Sequence, residues 1–180
     1  PQSEYPYERL IDENHSRGKL DPEFEPADTG VCDDGRYFDV FAEYAKASPE
    51  DLVCRITVTN RGPDPAPIHI LPQLWYRNTW SWESGAAAPR IIAAGPGAAR
   101  TEHPALGERW LSVTSSSGDA PAMLFCENET NDQLLFGVAN RSSTTKDGIN
   151  DYVVGGDTGA VSRSDGSKVA AHVQATLPAG

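Results

Sequence analysis

The sequence lacks an apolar run near the roughly 18 residues that a membrane-spanning helix requires, so no such helix is expected. It has no G-x-G-x-x-G and no Walker-type phosphate loop, which removes the common nucleotide-binding frameworks. H-x-H and H-E-x-x-H are also missing. His15, His69, His103 and His172 are scattered, and each reads as a surface or packing residue rather than a metal ligand. Ser115-Ser116-Ser117 has no G-x-S-x-G around it, so a hydrolase nucleophile elbow is unsupported. Three cysteines, Cys32, Cys54 and Cys126, lie far apart without a C-x-x-C pair. That spacing gives no zinc site, and the odd count gives no disulfide framework. Reduced thiols of a cytoplasmic protein are expected instead. In that compartment Asn128-Glu129-Thr130 and Asn140-Arg141-Ser142 match the glycosylation sequon by chance. No secretory leader is visible, and the abrupt opening at Pro1-Gln2-Ser3 reads as a piece of a longer protein.

Basic residues are scarce: 15 Lys and Arg face 26 Asp and Glu, for a net charge of −11. Such a chain repels phosphate backbones and anionic lipid, so neither nucleic acid nor a membrane surface is expected as partner. Uncharged ligands such as sugars are indifferent to it. Hydrophobic residues make up 38% of the 180, a low share that suits sheets with one wet face and many loops. Gly 16 and Pro 14 supply the turns.

What is present is mostly strand pattern. Residues 5–17 read as a short helix, with Tyr7, Leu10, Ile11 and the polar Asn14 at helical spacing and Pro6 at its start. Residues 19–36 read as a polar loop. Phe38, Val40, Ala42 and Tyr44 alternate, which favours a strand over 37–47. Residues 52–60 give the clearest period of two, with Leu52, Cys54, Ile56 and Val58 on one face. This strand is expected at the centre of the core. A following strand with Ile68, Ile70 and Leu74 is expected to form a hairpin with it. Further strands are expected at Arg90–Ala94, Trp110–Ser115, Ala122–Glu127, Leu134–Asn140 and Lys168–Leu177. Residues 146–154 suit a helical turn or two, and Gly155–Ser167 suits a mobile loop. The sum is an all-β fold, an antiparallel sandwich with a short N-terminal helix and long loops, over 1–180 as a single domain.

Two clusters could carry chemistry. Trp75, Arg77, Asn78, Trp80 and Trp82 run off a strand into a loop. Indole faces stack on sugar C–H faces and Arg or Asn can bond hydroxyls, so these five are candidates for carbohydrate binding or a domain interface. Packing in a core is the competing role for Trp75 and Trp80. Asp28, Asp33, Asp34 and Asp39 could offer oxygens to calcium, but the ordered D-x-D-x-D-G loop is missing, so a solvated loop is expected. No metal and no cofactor is expected.

Several ordered stretches together carry a resemblance. They are Tyr5-Pro6-Tyr7-Glu8, Asp28-Thr29-Gly30-Val31, Arg36 to Phe41, Glu43-Tyr44-Ala45-Lys46, Ile56 to Pro63, Arg77 to Trp82, Glu127 to Asn131 and Lys146 to Val153. In this order the chain resembles the N-terminal region of bacterial proteins similar to mannosyl-oligosaccharide glucosidase, glycoside hydrolase family 63. The resemblance implies a supersandwich-like domain packed on a C-terminal (α/α)6 barrel. It also implies hydrolysis of glucosidic bonds with inversion, by an acid and a base on the barrel. The barrel is missing from these residues, so no catalytic residue is assigned. The expected role is a non-catalytic sandwich whose partner is the catalytic domain of the same longer chain, with an oligosaccharide as possible ligand. The alternatives are an autonomous carbohydrate-binding module and a scaffold without sugar affinity.

Overall fold

A computed structural model of the chain describes residues 1–82 and 86–180. It is mostly antiparallel strand, with a short N-terminal helix, as the alternating sequence implies. The chain divides into two compact units. One holds Pro1–Ile68 and Ala175–Gly180, and the other His69–Gln174.

The first unit opens with α1 (Tyr7–Ser16), close to the expected helix. Asn14, the polar residue in its apolar spacing, acts as a clasp. Its Nδ2 donates to the Leu10 and Phe24 carbonyls, and its Oδ1 accepts from the Phe24 amide. Phe24 is thereby buried, with the Arg9 and Arg17 guanidinium groups 5.3 and 5.1 Å from its ring centre. Strands β1 (Phe38–Ser48) and β2 (Asp51–Asn60) then pair with each other along their whole length. The expected hairpin between β2 and the following strand is therefore corrected. Pro49-Glu50 makes a tight turn that returns β2 onto β1, so β2 takes the earlier strand as its neighbour.

The face of β2 was legible, but its place was not. Cross-strand partners share a face, and the register sets Val40 opposite Val58, Ala42 opposite Ile56, Tyr44 opposite Cys54 and Lys46 opposite Leu52. Apart from Lys46 these form one apolar face, and it is largely open to solvent. Leu52 is 68% exposed and Tyr44 77%. The expectation that Leu52–Thr59 lies at the core's centre is overturned. Period two reports which side chains share a face, not whether anything covers that face. Among the described residues of this unit, Phe24 and Ala66 are the buried hydrophobic ones.

The second unit holds the main core. After β3 (Ala66–Ile70) and β4 (Gln73–Trp75) come β5 (Ile91–Ala93), β6 (Ala98–His103), β7 (Gly107–Ser112), β8 (Ala122–Cys126), β9 (Asp165–Gly166) and β10 (Lys168–Leu177). One sheet has the order β7-β6-β5-β9, and in another β10 lies between β4 and β8. Ile91 and Ala99 of the first sheet pack with Met123, Phe125, Val169 and Ala171 of the second. This is the sandwich core. The opposite face of β8 and β10 presents Leu124, Cys126 and Ala170 to Ile149 of helix α3 (Gly148–Gly155; α2 is described below) and to Val161. Burial on both faces explains why Met123-Leu124-Phe125-Cys126 is continuously apolar rather than alternating.

Other expectations are corrected here. Leu134–Asn140 is not a strand: residues Asp132–Phe136 form the short helix α2. Its amide ends are met by the Asn131 side chain, which accepts from the Leu134 amide, and Gly137 at φ 69° stops it. Gly155–Ser167 is built into the fold rather than a loose loop. Asp157 accepts from the Gly159 amide, Ala160 and Val161 are buried, and β9 pairs with β5. A Cβ on Gly166 would stand 2.5 Å from the Cys126 carbonyl oxygen, so only glycine lets this segment approach β8. Trp110–Ser115 begins three residues earlier, at Gly107, and β6 escaped notice because Arg100, Glu102 and His103 mask the inward Ala99 and Thr101.

Candidate functional site

The aromatic segment lies in the second unit, and the structure separates its members. Trp80 is 9% exposed, with its indole Nε1 donating to Glu129 Oε1 at 3.4 Å. Trp82 is 65% exposed and Trp75 55%. The Arg77 guanidinium stands 4.9 Å from the centre of the Trp82 ring system. Asn78 is committed inward: its Nδ2 donates to the Asn128 carbonyl at 2.9 Å, and its Oδ1 accepts from the Ser81 amide at 3.2 Å. Asn128 Nδ2 answers by donating to the Tyr76 carbonyl at 2.9 Å. This reciprocal pair of asparagines fixes where the loop leaves β4. Asn78 is thus spent on the backbone, while Arg77 and Trp82 stay accessible.

Residues after β8 complete the support. Arg90 Nη1 donates to Glu127 Oε1 at 2.7 Å, and Arg90 also pairs with Asp165. Glu127 Oε2 accepts from Ser167 Oγ at 2.6 Å, and that hydroxyl accepts from the Asn128 amide at 2.8 Å. The chain Arg90–Glu127–Ser167–Asn128 links β5, β8 and β10 to the tryptophan loop. The sequence assigned none of these four a role, because Arg90, the adjacent Glu127-Asn128 and Ser167 are separated by more than thirty positions. A groove of about 590 Å³ lies here, lined by Trp80, Trp82, Pro89, Arg90, Glu102 and His103 among others. The His103 ring stacks on Tyr76 with centres 4.7 Å apart. One exposed indole, a cation and a carboxylate at one groove suit an uncharged polyhydroxyl ligand or a polar partner surface.

The acidic loop resolves into turn and ion-pair chemistry. Asp28 accepts from the Glu25 amide, Asp34 from the Arg36 amide, and Asp39 pairs with Arg61 at 2.6 Å. Among the described residues, no group of three or more His, Cys, Asp or Glu could hold a metal. The same residues include no helix long and apolar enough to cross a membrane. Asp147 has its carboxyl held below the usual range. Burial alone would raise it, but hydrogen bonds from Thr145 and Asn131 outweigh that. Cys126 is pushed up to about 11, mainly by burial, so it is an inert thiol at neutral pH. The asparagines of the two sequons named above have their amides engaged, Asn128 on Tyr76 and Asn140 on Asn131.

Compared with known proteins, the sequence matches no family model and no solved structure. It does match the uncharacterized protein YMR196W of Saccharomyces cerevisiae, at 31% identity over 199 aligned positions. The match takes in 93% of this chain and 18% of the yeast protein, so the chain spans under a fifth of the curated relative's length.

Proposed function

We propose that this chain is the non-catalytic N-terminal sandwich region of a longer cytoplasmic glycoside hydrolase, an inverting enzyme of the glucosidase type. Its role is to pack on the catalytic domain and to border the sugar site. The observation that carries this is the apolar face of the β1–β2 ribbon. An isolated two-stranded ribbon is marginal in water, and a contiguous apolar patch signals a partner surface. Completing the burial of Val40 and Leu52 would contribute at most about 1.5–3 kcal/mol each. Leu134, Leu135, Phe136 and Val138 around α2 add a second exposed apolar surface. The length of the yeast relative agrees with a larger protein around such a region. The ordered resemblance to the family 63 glucosidases supplies the chemistry.

A second reading, an autonomous carbohydrate-binding module, draws on Trp82 and Arg77 beside the groove. It is weaker because Trp80 is buried and Asn78 is engaged, so the aromatic side chains do not form a flat open row. The test is an assay of the 180 residues and of the complete reading frame on aryl glucosides and α-linked glucose disaccharides. The complete protein is expected to release glucose with inverted configuration, and the 180 residues to give no turnover. Comparable turnover by both would contradict the proposal. Sugar binding by the 180 residues alone would favour the module.

A further inference from the structure

His69 at the end of β3 and His172 on β10 stand 103 positions apart in sequence and meet in the second unit. Nδ1 of His69 lies 2.7 Å from Nε2 of His172, and the rings stack with centres 5.0 Å apart at 17°. His172 is buried, whereas His69 is exposed. A hydrogen bond between two imidazole nitrogens needs one proton between them: one ring donates and the other must accept. If both rings are protonated, both facing nitrogens carry N–H and the bond cannot exist.

The surroundings oppose that second proton. The Tyr152 ring of α3 meets His172 edge-on, with centres 6.0 Å apart. Arg163, ahead of β9, donates to the Tyr152 hydroxyl at 2.7 Å, and Ala122 of β8 stands opposite His172 in the ladder. The charged neighbours acting on His172 are His69 and Arg163, both cationic when protonated. Burial first, then these two charges, hold His172 below the ordinary histidine value. No carboxylate is among the groups acting on it.

We propose that the His69–His172 pair is a proton-operated latch, closed by one shared proton at neutral pH and opened in mild acid when both rings are charged. On opening, the exposed His69 ring turns to water. The cover over the second core cluster, where Leu71 and Tyr152 pack, then loosens. The sign follows from linkage. A histidine held low in the folded state takes its proton more readily when unfolded. The latch's contribution is therefore complete above the ordinary histidine range. It is lost as pH falls through that range towards the folded value. The inference is independent of the glycosidase proposal, since it concerns only the second unit's stability.

The test is an NMR titration of the imidazole signals of the native chain and of His69→Gln, from about pH 8 to about pH 4.5, spanning the ordinary histidine range. In the native chain His172 is expected to protonate below the ordinary histidine range. In His69→Gln, His172 is expected to titrate in one step at higher pH. The melting temperature of the native chain should fall more steeply between about pH 7.5 and about pH 5 than that of His69→Gln. His172 protonating at the same pH in the native chain and in His69→Gln, or identical dependence of melting on pH in both proteins, would overturn the latch. Should His69→Gln not fold, the native titration alone decides.

Discussion

Phe125→Ala is expected to remove about 3–5 kcal/mol of folding free energy, the usual cost of emptying a buried aromatic site. Phe125 is fully buried on β8, packed against Ile91 and Ala99 of the facing sheet and beside Val169 and Ala171 of its own. Both neighbouring segments hold it rigidly. Val169 stands opposite it across the ladder, and its own amide and carbonyl bond Ser162. Little backbone movement is available to collapse the cavity, so the loss should sit in the upper part of the range. Urea unfolding of the native chain and the variant measures it, as a lower midpoint with unchanged slope. A loss below about 1 kcal/mol would mean that the two sheets do not share this core.

Trp80→Ala should be nearly as costly, about 3–5 kcal/mol, because the indole is buried and its N–H is bonded to Glu129. Trp82→Ala, two positions on, should change stability by less than about 0.5 kcal/mol, the range for surface positions. The pair of variants separates two roles that sequence alone merged. Trp80 organises the loop from within, and Trp82 stays exposed. Equal losses at both positions would show that the loop's two indoles are not divided in this way.

Much of the fold could be read from the sequence because local chemistry set it. The helix at Tyr7–Ser16, the strand at Asp51–Asn60, the helix at Gly148–Gly155 and the strand at Lys168–Leu177 all follow from spacing and turn residues. What escaped was set partly by local stop signals and partly by distant partners. The Leu134-Leu135-Phe136 run carries apolar residues suited to a strand, yet the Asn131 cap and Gly137 stop decide for helix. Both signals were visible and outweigh hydrophobicity. Gly155–Ser167 looks soft by composition, but Gly166 permits close approach to the Cys126 backbone rather than looseness. In the candidate site the tryptophans were legible as a cluster. The asparagine exchange between residues 78 and 128, and the Arg90–Glu127–Ser167 chain, were not, because no local pattern encodes a contact between strands so far apart.

The apolar ribbon of the first unit remains the feature on which the functional account stands, and Cys54 reports on it directly. This thiol sits on the apolar face of β2, opposite Tyr44, and is exposed, as is Cys32, while Cys126 is buried. Thiol labelling followed by peptide mass analysis can therefore compare the 180 residues with the complete protein, position by position. In the 180 residues, Cys54 and Cys32 should label readily and Cys126 should resist. In the complete protein Cys54 should become protected if the catalytic domain proposed above covers the ribbon. Cys54 labelling as fast in the complete protein as in the 180 residues would contradict the account, leaving the apolar face without the partner proposed for it.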